Sequence, residues 1–286
     1  VTRALLVTFS LLPDGEPGAD VLGSALTERG IEFRWVSWDD TGVDWAAADV
    51  VAVRATWDYH RRLDDFLAWA RRVDEEAGLL NGADVFAWNA DKSYLVELGE
   101  HVRVVPTGLL DDGDLRGGLQ AALERHGPVV IKGRVGASGV GVVVAESTDD
   151  QRLSGLTAGP WVVQPLVESV RTEGEASVFV IGGEVASQVH KLPGDGEIRV
   201  HEEYGGHSHP VPIGPEHAAL ALDAVEAASR ITGRTLDYAR VDMMRLADGD
   251  LAVSELELIE PGLYLDVLPE NAEPFADLVL SRTGDR

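Results

Sequence analysis

A chain of 286 residues that is 45% hydrophobic and 26% charged has the size and balance of a folded globular protein with two or three packed lobes. Its 49 acidic and 24 basic residues leave a net charge of -25, which repels polyanions, so nucleic acid and anionic membrane surfaces are excluded as favoured partners. The absence of cysteine excludes disulfides, thiolate metal sites and a cysteine nucleophile, and with neither a signal-peptide pattern nor a bilayer-length apolar run the expected location is cytoplasmic.

Residues 3–9 read as a buried strand, followed by a Gly/Pro loop and an amphipathic helix over residues 19–29. Residues 31–36 and 49–54 read as two further strands, and this alternation predicts a parallel α/β sheet whose ligands gather beyond the carboxyl ends of its strands. The third strand ends there in Arg54-Ala-Thr-Trp-Asp-Tyr-His60. Arg54, a planar fork suited to a carboxylate, with Tyr59 and His60 nearby, is the expected substrate grip. In the competing reading Trp57 and Tyr59 pack a helix over residues 63–73. Trp88-Asn-Ala-Asp-Lys92 is expected to open another helix with Asn89 as N-cap. Lys92 then lies in a first turn, unfavourable toward the helix dipole unless an anion is close.

A strand over residues 102–105 and a helix over residues 115–126 lead to Pro128-Val-Val-Ile-Lys132. Lys92, Lys132 and Lys191 are the only lysines among the 24 basic residues, and a compact ammonium suits contact with phosphate; chance within an arginine-biased chain is the alternative. The stretch Gly133-Arg-Val-Gly136-Ala-Ser-Gly139-Val-Gly141 lacks the Gly-Lys-Ser/Thr of a P-loop and leads into a strand over residues 140–145, unlike a dinucleotide fingerprint. In such a β-loop-β arrangement Gly136 and Gly139 let backbone N–H groups cradle phosphate oxygens, and Ser138 adds a donor. A glycine-rich hairpin without a ligand is the alternative.

Pro160-Trp-Val-Val-Gln-Pro-Leu-Val167 reads as another apolar strand, ending at Glu168. It offers apolar side chains for an adenine to stack on and backbone groups for it to hydrogen-bond, with Glu168 or Glu175 holding a ribose hydroxyl. Residues 173–181, the Gly182-Gly183 turn and residues 184–191 read as a hairpin, after which Lys191 and Arg199 bracket a glycine-rich segment. His201, His207 and His209 stand in a Gly/Pro/Ser-rich setting that reads as a solvated loop in preference to a zinc site. A helix over residues 215–232 leads into two β-rich runs around Asp248-Gly249, expected to form a two-residue turn. Pairing Ala247 with Asp250 sets Asp242 opposite Glu255 and Arg240 opposite Glu257. Those four share one face, while Val241, Met243, Leu256 and Leu258 share the core face. Opposed acids about 5 Å apart repel unless a positive charge intervenes, and Mg²⁺ held by one or two carboxylates and phosphate oxygens would provide it. The alternative is a half-exposed hairpin with solvated acids.

Taken in order, Lys92, Val-Ile-Lys132, the glycine-rich β-loop-β, Gln164-Pro-Leu-Val167, Asp242 and Glu255-x-Glu257 resemble the ATP-grasp superfamily over most of the chain. The resemblance implies an ATP-grasp fold behind an N-terminal parallel α/β domain, divided at residues 1–88, 89–166 and 167–286. It implies Lys92 and Lys132 at the ATP phosphates and Gln164, Leu166 and Val167 at an adenine hinge. It also implies two Mg²⁺ ions on Asp242, Glu255 and Glu257, the last standing where many members have asparagine. The implied activity is an ADP-forming carboxylate–amine ligase that makes an amide or cyclic amide through an acyl phosphate. Lys191 and Arg199 would neutralise charge as the carboxylate attacks the γ-phosphorus. The RATWDY, WNADK, EGEAS and ELELIEP segments are most similar to a biosynthetic branch that includes O-ureido-serine cyclo-ligases. Small carboxylate and amine substrates are the expected partners, with a homodimer an open option. The alternatives are a phosphotransferase and a nucleotide binder without catalysis; the full set of lysines and acids argues against the binder.

Overall fold

The computed structural model describes residues 2–111, 113–136, 139–155 and 160–282. Strands β1 (Thr2–Thr8), β2 (Ile31–Ser37) and β3 (Val50–Ala55) form a parallel sheet in the order β2-β1-β3, with α1 (Ala19–Glu28) between the first two. β1 is apolar along its length because both its faces are covered. Ala4 and Leu6 pack with Leu22 and Leu26 of α1, whereas Leu5 and Val7 pack with Phe66 and Val73 of α2 (Leu63–Glu76). Helices α3 (Ala83–Asn89) and α4 (Tyr94–Leu98) follow. Asn89 therefore ends a helix and does not cap one. Its side chain donates to the Leu256 carbonyl and accepts from the Leu258 N–H, satisfying buried backbone at the end of the outer strand, where no strand pairs with it on that side among the described residues.

β4 (Gly108–Leu110), β5 (Val129–Gly133), β6 (Val143–Ala145) and β7 (Trp161–Pro165) form an antiparallel sheet in the order β4-β7-β5-β6. α5 (Leu115–His126) covers one face through Leu119, against Val129, Ile131 and Val163. The alternate residues Val130, Lys132 and Gln164 turn to the opposite face. The strand expected over residues 102–105 is a single bridge from Val104 to Val253. Pro106, which has no N–H, stops the pairing there, and a strand begins only at Gly108.

The third sheet, antiparallel and ordered β10-β9-β8-β11-β12, contains β8 (Glu175–Ile181), β9 (Glu184–Leu192), β10 (His207–Val211), β11 (Tyr238–Arg245) and β12 (Leu251–Glu257). α6 (Pro215–Thr232) packs on one face, over Val178, Val180, Val241, Met243 and Leu256. On the other face Phe179 and Ile181 meet Phe275 and Val279 of α7 (Ala272–Ser281), in one core with Leu6 and Leu26 of the parallel sheet. His207 and His209 are not in a solvated loop but in the edge strand β10, paired with Leu192 and His190.

The β11–β12 hairpin reaches the expected pairing of acids by an unexpected route. Leu246 N–H donates to the Asp250 carbonyl and Gly249 N–H to the Leu246 carbonyl, with Gly249 at φ 92°, so the loop has three residues and not two. Pairing near the turn is shifted, with Met243 opposite Val253 and Arg245 opposite Leu251. A bulge beside Asp242 restores the register, so Asp242 does oppose Glu255 and Arg240 does oppose Glu257. The bulge also turns Ser254 to the acidic side, where its hydroxyl donates to Glu175 at 3.0 Å.

Arg54 is wholly buried, so it cannot be the substrate grip. Its guanidinium pairs with Glu16 at 2.8 Å, donates to the Pro261 carbonyl at 2.7 Å and lies over the Phe275 ring at 4.7 Å. Glu16 accepts from Leu263 N–H as well, so the pair ties the loops after β1 and β12 together. A strand covered on both faces holds an arginine only if that arginine is paired internally. Arg54→Met is predicted to destabilise the protein by about 3–5 kcal/mol, because it leaves a buried carboxylate alone, and Glu16→Gln added to it should recover part of the loss. Urea unfolding of the three proteins measures both effects.

Candidate active site

The exposed face of the β4–β7 sheet, the acidic face of the β11–β12 hairpin and the loops after β1, β3 and β12 enclose a cleft of about 480 Å³. Lys92, Lys132, Gly136, Gly139, Gln164, Leu166, Val167, Glu175, Lys191, Arg199, Asp242, Glu255 and Glu257 all line it, as does Tyr59. Ser138 lies outside the described residues. Glu168 does not line the cleft: it is exposed and pairs with Arg171 at 3.2 Å. His60 does not line the cleft either, whereas Tyr59 does, packed 5.1 Å from Phe66 by ring centroids.

Strand register builds the charged row. Glu175 lies opposite Lys191, Ser177 opposite Asp242, and Asp242 opposite Glu255, so these side chains share the face turned to the cleft. Gly174 makes the approach possible: at φ 73°, a Cβ there would lie 2.1 Å from the Lys191 carbonyl oxygen. Lys191 Nζ sits 2.7 Å from Glu175 and 3.2 Å from Asp242. Asp242 also accepts from Ser177 at 2.5 Å and from Arg240 at 3.0 Å, and Arg240 reaches on to Glu257. The positive charge between opposed acids is therefore supplied by the protein itself. Burial disfavours ionisation of Asp242, but Arg240 and Lys191 outweigh it and hold the carboxyl well below the usual range. Burial pushes Glu257 up to about 7, with Arg240 working against this and Asp242 and Glu255 adding to it.

The phosphate-side cations differ from one another. Lys92 Nζ lies 2.9 Å from Glu255 and donates to the Gly136 carbonyl at 3.0 Å. Burial opposes its charge, yet Glu255 keeps its pKa above the ordinary lysine value. The Lys132 ammonium has no hydrogen bond or ion pair among the described residues, and burial lowers its pKa, with Glu255 opposing and Lys92 reinforcing the effect. An unpartnered, half-buried ammonium facing a cleft suits an incoming anion. Arg199 pairs with Glu197 and stacks 3.5 Å over the Tyr204 ring.

Several expected roles change with this geometry. Lys191 is engaged by Glu175 and Asp242, which makes it part of the acid scaffold. Both Glu175 oxygens are engaged, by Lys191 and Ser254, and Glu168 stands outside the cleft, so neither is placed as a free carboxylate for a ribose hydroxyl there. Leu166 N–H donates to the Pro128 carbonyl and is not available to an adenine. The sequence reading missed Glu16, Glu260 and Tyr264, which also line the cleft. Glu260 stands in the same ELELIEP run as the metal candidates, but beyond the end of β12, where period-two alternation no longer assigns a face.

No group of three or more His, Asp or Glu among the described residues is arranged to hold a metal ion unaided. Arg240 and Lys92 stand among the acids. The donor set nevertheless fits Mg²⁺, which is ordinarily shared between one or two carboxylates and substrate phosphates and not held in an all-protein cage. Glu257, with its proton held to near neutral pH, and Glu255 are hard oxygen donors facing the cleft.

The architecture around this cleft is that of an ATP-grasp ligase. Residues 107–263 match the RimK-like ATP-grasp domain, and the chain belongs to that family. Residues 4–81 match the N-terminal domain of D-cycloserine synthetase DcsG. The cycloserine biosynthesis protein DcsG of Streptomyces lavendulae is 30% identical over 268 residues, spanning 88% of this chain and 89% of that protein. A crystal structure of D-cycloserine synthetase DcsG has a TM-score of 0.86 at 29% identity, covering 98% of this chain and 99% of the other. A probable alpha-L-glutamate ligase of Aliivibrio salmonicida is 33% identical over 165 residues, about half of each chain (51% and 52%). No described helix is long and apolar enough to cross a membrane.

The raised pKa of Glu257 has a signed consequence. Between its ordinary value of 4.5 and about 7 the folded protein keeps a proton that the unfolded chain has lost, so this group's contribution to stability falls as pH rises through that window. Glu257→Gln removes the titration. Relative to wild type, the variant is predicted to gain about 1–2 kcal/mol of metal-free stability between pH 5 and pH 8. Urea unfolding in chelator at the two pH values reads it, and parallel changes in both proteins would contradict the assignment.

Proposed function

We propose that this ATP-grasp ligase is an ADP-forming, Mg²⁺-dependent carboxylate–amine ligase that closes the ring of a small amino-acid-derived substrate. The observation that carries the reading is Lys132, an ammonium without a protein partner among the described residues, sharing a cleft with the carboxylates of β11 and β12. Adenine would lie near Val130, Gln164 and Val167, and the phosphates beneath Gly136 and Gly139 between Lys92 and Lys132. Asp242, Glu255 and Glu257 would hold two Mg²⁺ ions, which offset the charge of the phosphates when bound. Lys92, Lys132 and Arg199 add fixed positive charge where two anions must approach, the term that dominates phosphoryl transfer.

In the proposed reaction a substrate carboxylate oxygen attacks the γ-phosphorus and the bond to ADP breaks. A nitrogen then attacks the acyl carbon, phosphate leaves and the nitrogen loses a proton, giving an amide or cyclic amide. Likeness to a cycloserine biosynthesis protein along nearly the whole chain, together with the match to its N-terminal domain, supports ring closure within one molecule. O-ureido-serine is accordingly the first substrate to test.

With Mg-ATP and ¹⁸O-carboxylate-labelled O-ureido-serine, the expected products are ADP, one labelled phosphate and a cyclised product by mass. AMP and pyrophosphate would overturn the mechanism, and a product that keeps its phosphoryl group would favour a phosphotransferase. Lys132→Met is predicted to lower kcat about 100-fold or more with unchanged thermal stability.

A further inference from the structure

Every acid of the cleft described so far has a cationic partner. Glu16 has Arg54, Glu175 and Asp242 have Lys191, Asp242 and Glu257 have Arg240, and Glu255 has Lys92. Glu260 is the exception: half-buried and lining the cleft, it has neither a hydrogen bond nor an ion pair among the described residues. Glu257, Lys92, Arg240 and Glu255 are near enough to act on it electrostatically, and neither cation forms a pair with it. Withdrawing a carboxylate from water without a partner is costly, and such a group favours an occupant that carries a positive charge.

The same cleft has aromatic walls that suit such an occupant. Trp57 and Tyr59, from the loop after β3, line the same cleft, and Tyr59 is fixed by its packing on Phe66. Tyr264 comes from the loop after β12 with a left-handed backbone, φ 55°, rare for an aromatic residue. Buried hydrogen bonds impose that conformation. Arg54 holds the Pro261 carbonyl, Glu16 holds Leu263 N–H, Asn271 holds the Leu263 carbonyl, and the Tyr264 carbonyl accepts from Val267 and Leu268. The result is an aromatic ring kept in the cleft, 6.0 Å from Phe179 by ring centroids, by a strained backbone of the kind that persists at ligand-binding positions. Aromatic faces attract cations.

We propose that Glu260, which shares the cleft with Trp57, Tyr59 and Tyr264, is the subsite for a substrate ammonium group that takes no part in bond formation. This rests on the ligase reading above and narrows it to a zwitterionic substrate, with its carboxylate toward Lys132 and its ammonium at Glu260. The subsite acts as a charge filter: a neutral N-acyl analogue adds bulk and leaves the carboxylate unpaired.

The test is calorimetric binding of O-ureido-serine and its N-acetyl derivative to protein saturated with Mg·AMP-PNP. Wild type should prefer the free amine by about 100-fold or more. Glu260→Gln should reduce the preference to within about threefold while Mg·AMP-PNP affinity stays unchanged, and Glu260→Asp should retain part of it. An undiminished preference in Glu260→Gln, no preference in wild type, or weakened Mg·AMP-PNP binding in the variant would each overturn the proposal, the last by making Glu260 a metal ligand. If Mg·AMP-PNP fails to bind wild type, the ATP-dependent reading is at fault. The two amine forms are then compared without nucleotide, with the same criteria.

Discussion

The site depends on an alternating row of charges across four adjacent strands, Glu175–Lys191–Asp242–Arg240–Glu257. Like-charged side chains opposed across a hairpin would drive the strands apart, and charges withdrawn from water need partners. Interleaving lysine and arginine meets both demands. It leaves a nearly neutral, rigid floor instead of a bare acidic cage, and a nucleotide bound as proposed would meet a surface already balanced in charge. The floor is rigid because its backbone belongs to a hydrogen-bonded five-stranded sheet with α6 packed behind it.

Around that floor the lobes share cores and are not merely strung together. Phe179 and Ile181 from the acidic sheet pack with α7 and with the parallel sheet near the N-terminus, and the Arg54–Glu16 pair locks the loop after β12 from behind. A residue that looks like a substrate ligand in sequence is thus a buttress for the loop that carries Glu260 and Tyr264. Support behind the site is what lets that loop hold a conformation its own residues disfavour.

What was legible in the sequence follows from periodicity. The continuous apolar run of β1 announced a strand covered on both faces, and alternation in β11 and β12 separated Val241 and Leu256 from Asp242 and Glu255. Where alternation was the only guide, compensation went unseen: a loop one residue longer than expected and a bulge cancel, so the acids face each other although the turn was misread. Arg54 was misplaced because a sequence pattern does not reveal whether a charged residue has a buried partner 38 positions away. Glu260 and Tyr264 were missed because their placement arises from tertiary hydrogen bonds to an irregular loop. No local pattern encodes those.

The short segment that carries Lys92 is held at both ends. Asn89 and Tyr94 bind the backbone of β12 at Leu256 and Leu258, while Lys92 N–H donates to the Arg134 carbonyl at the root of the glycine-rich loop. With the backbone fixed, the freedom that remains is in the lysine side chain, whose ammonium is shared by Glu255 and the Gly136 carbonyl. In the ligase reading proposed above, a phosphate drawing this ammonium toward itself would take it from both at once. The loop would give up a tether, and Glu255 would lose its counter-ion, which a metal held by that carboxylate would replace. Lys92 would then be a place-holder that keeps the carboxylate oriented and charge-balanced until nucleotide and metal bind.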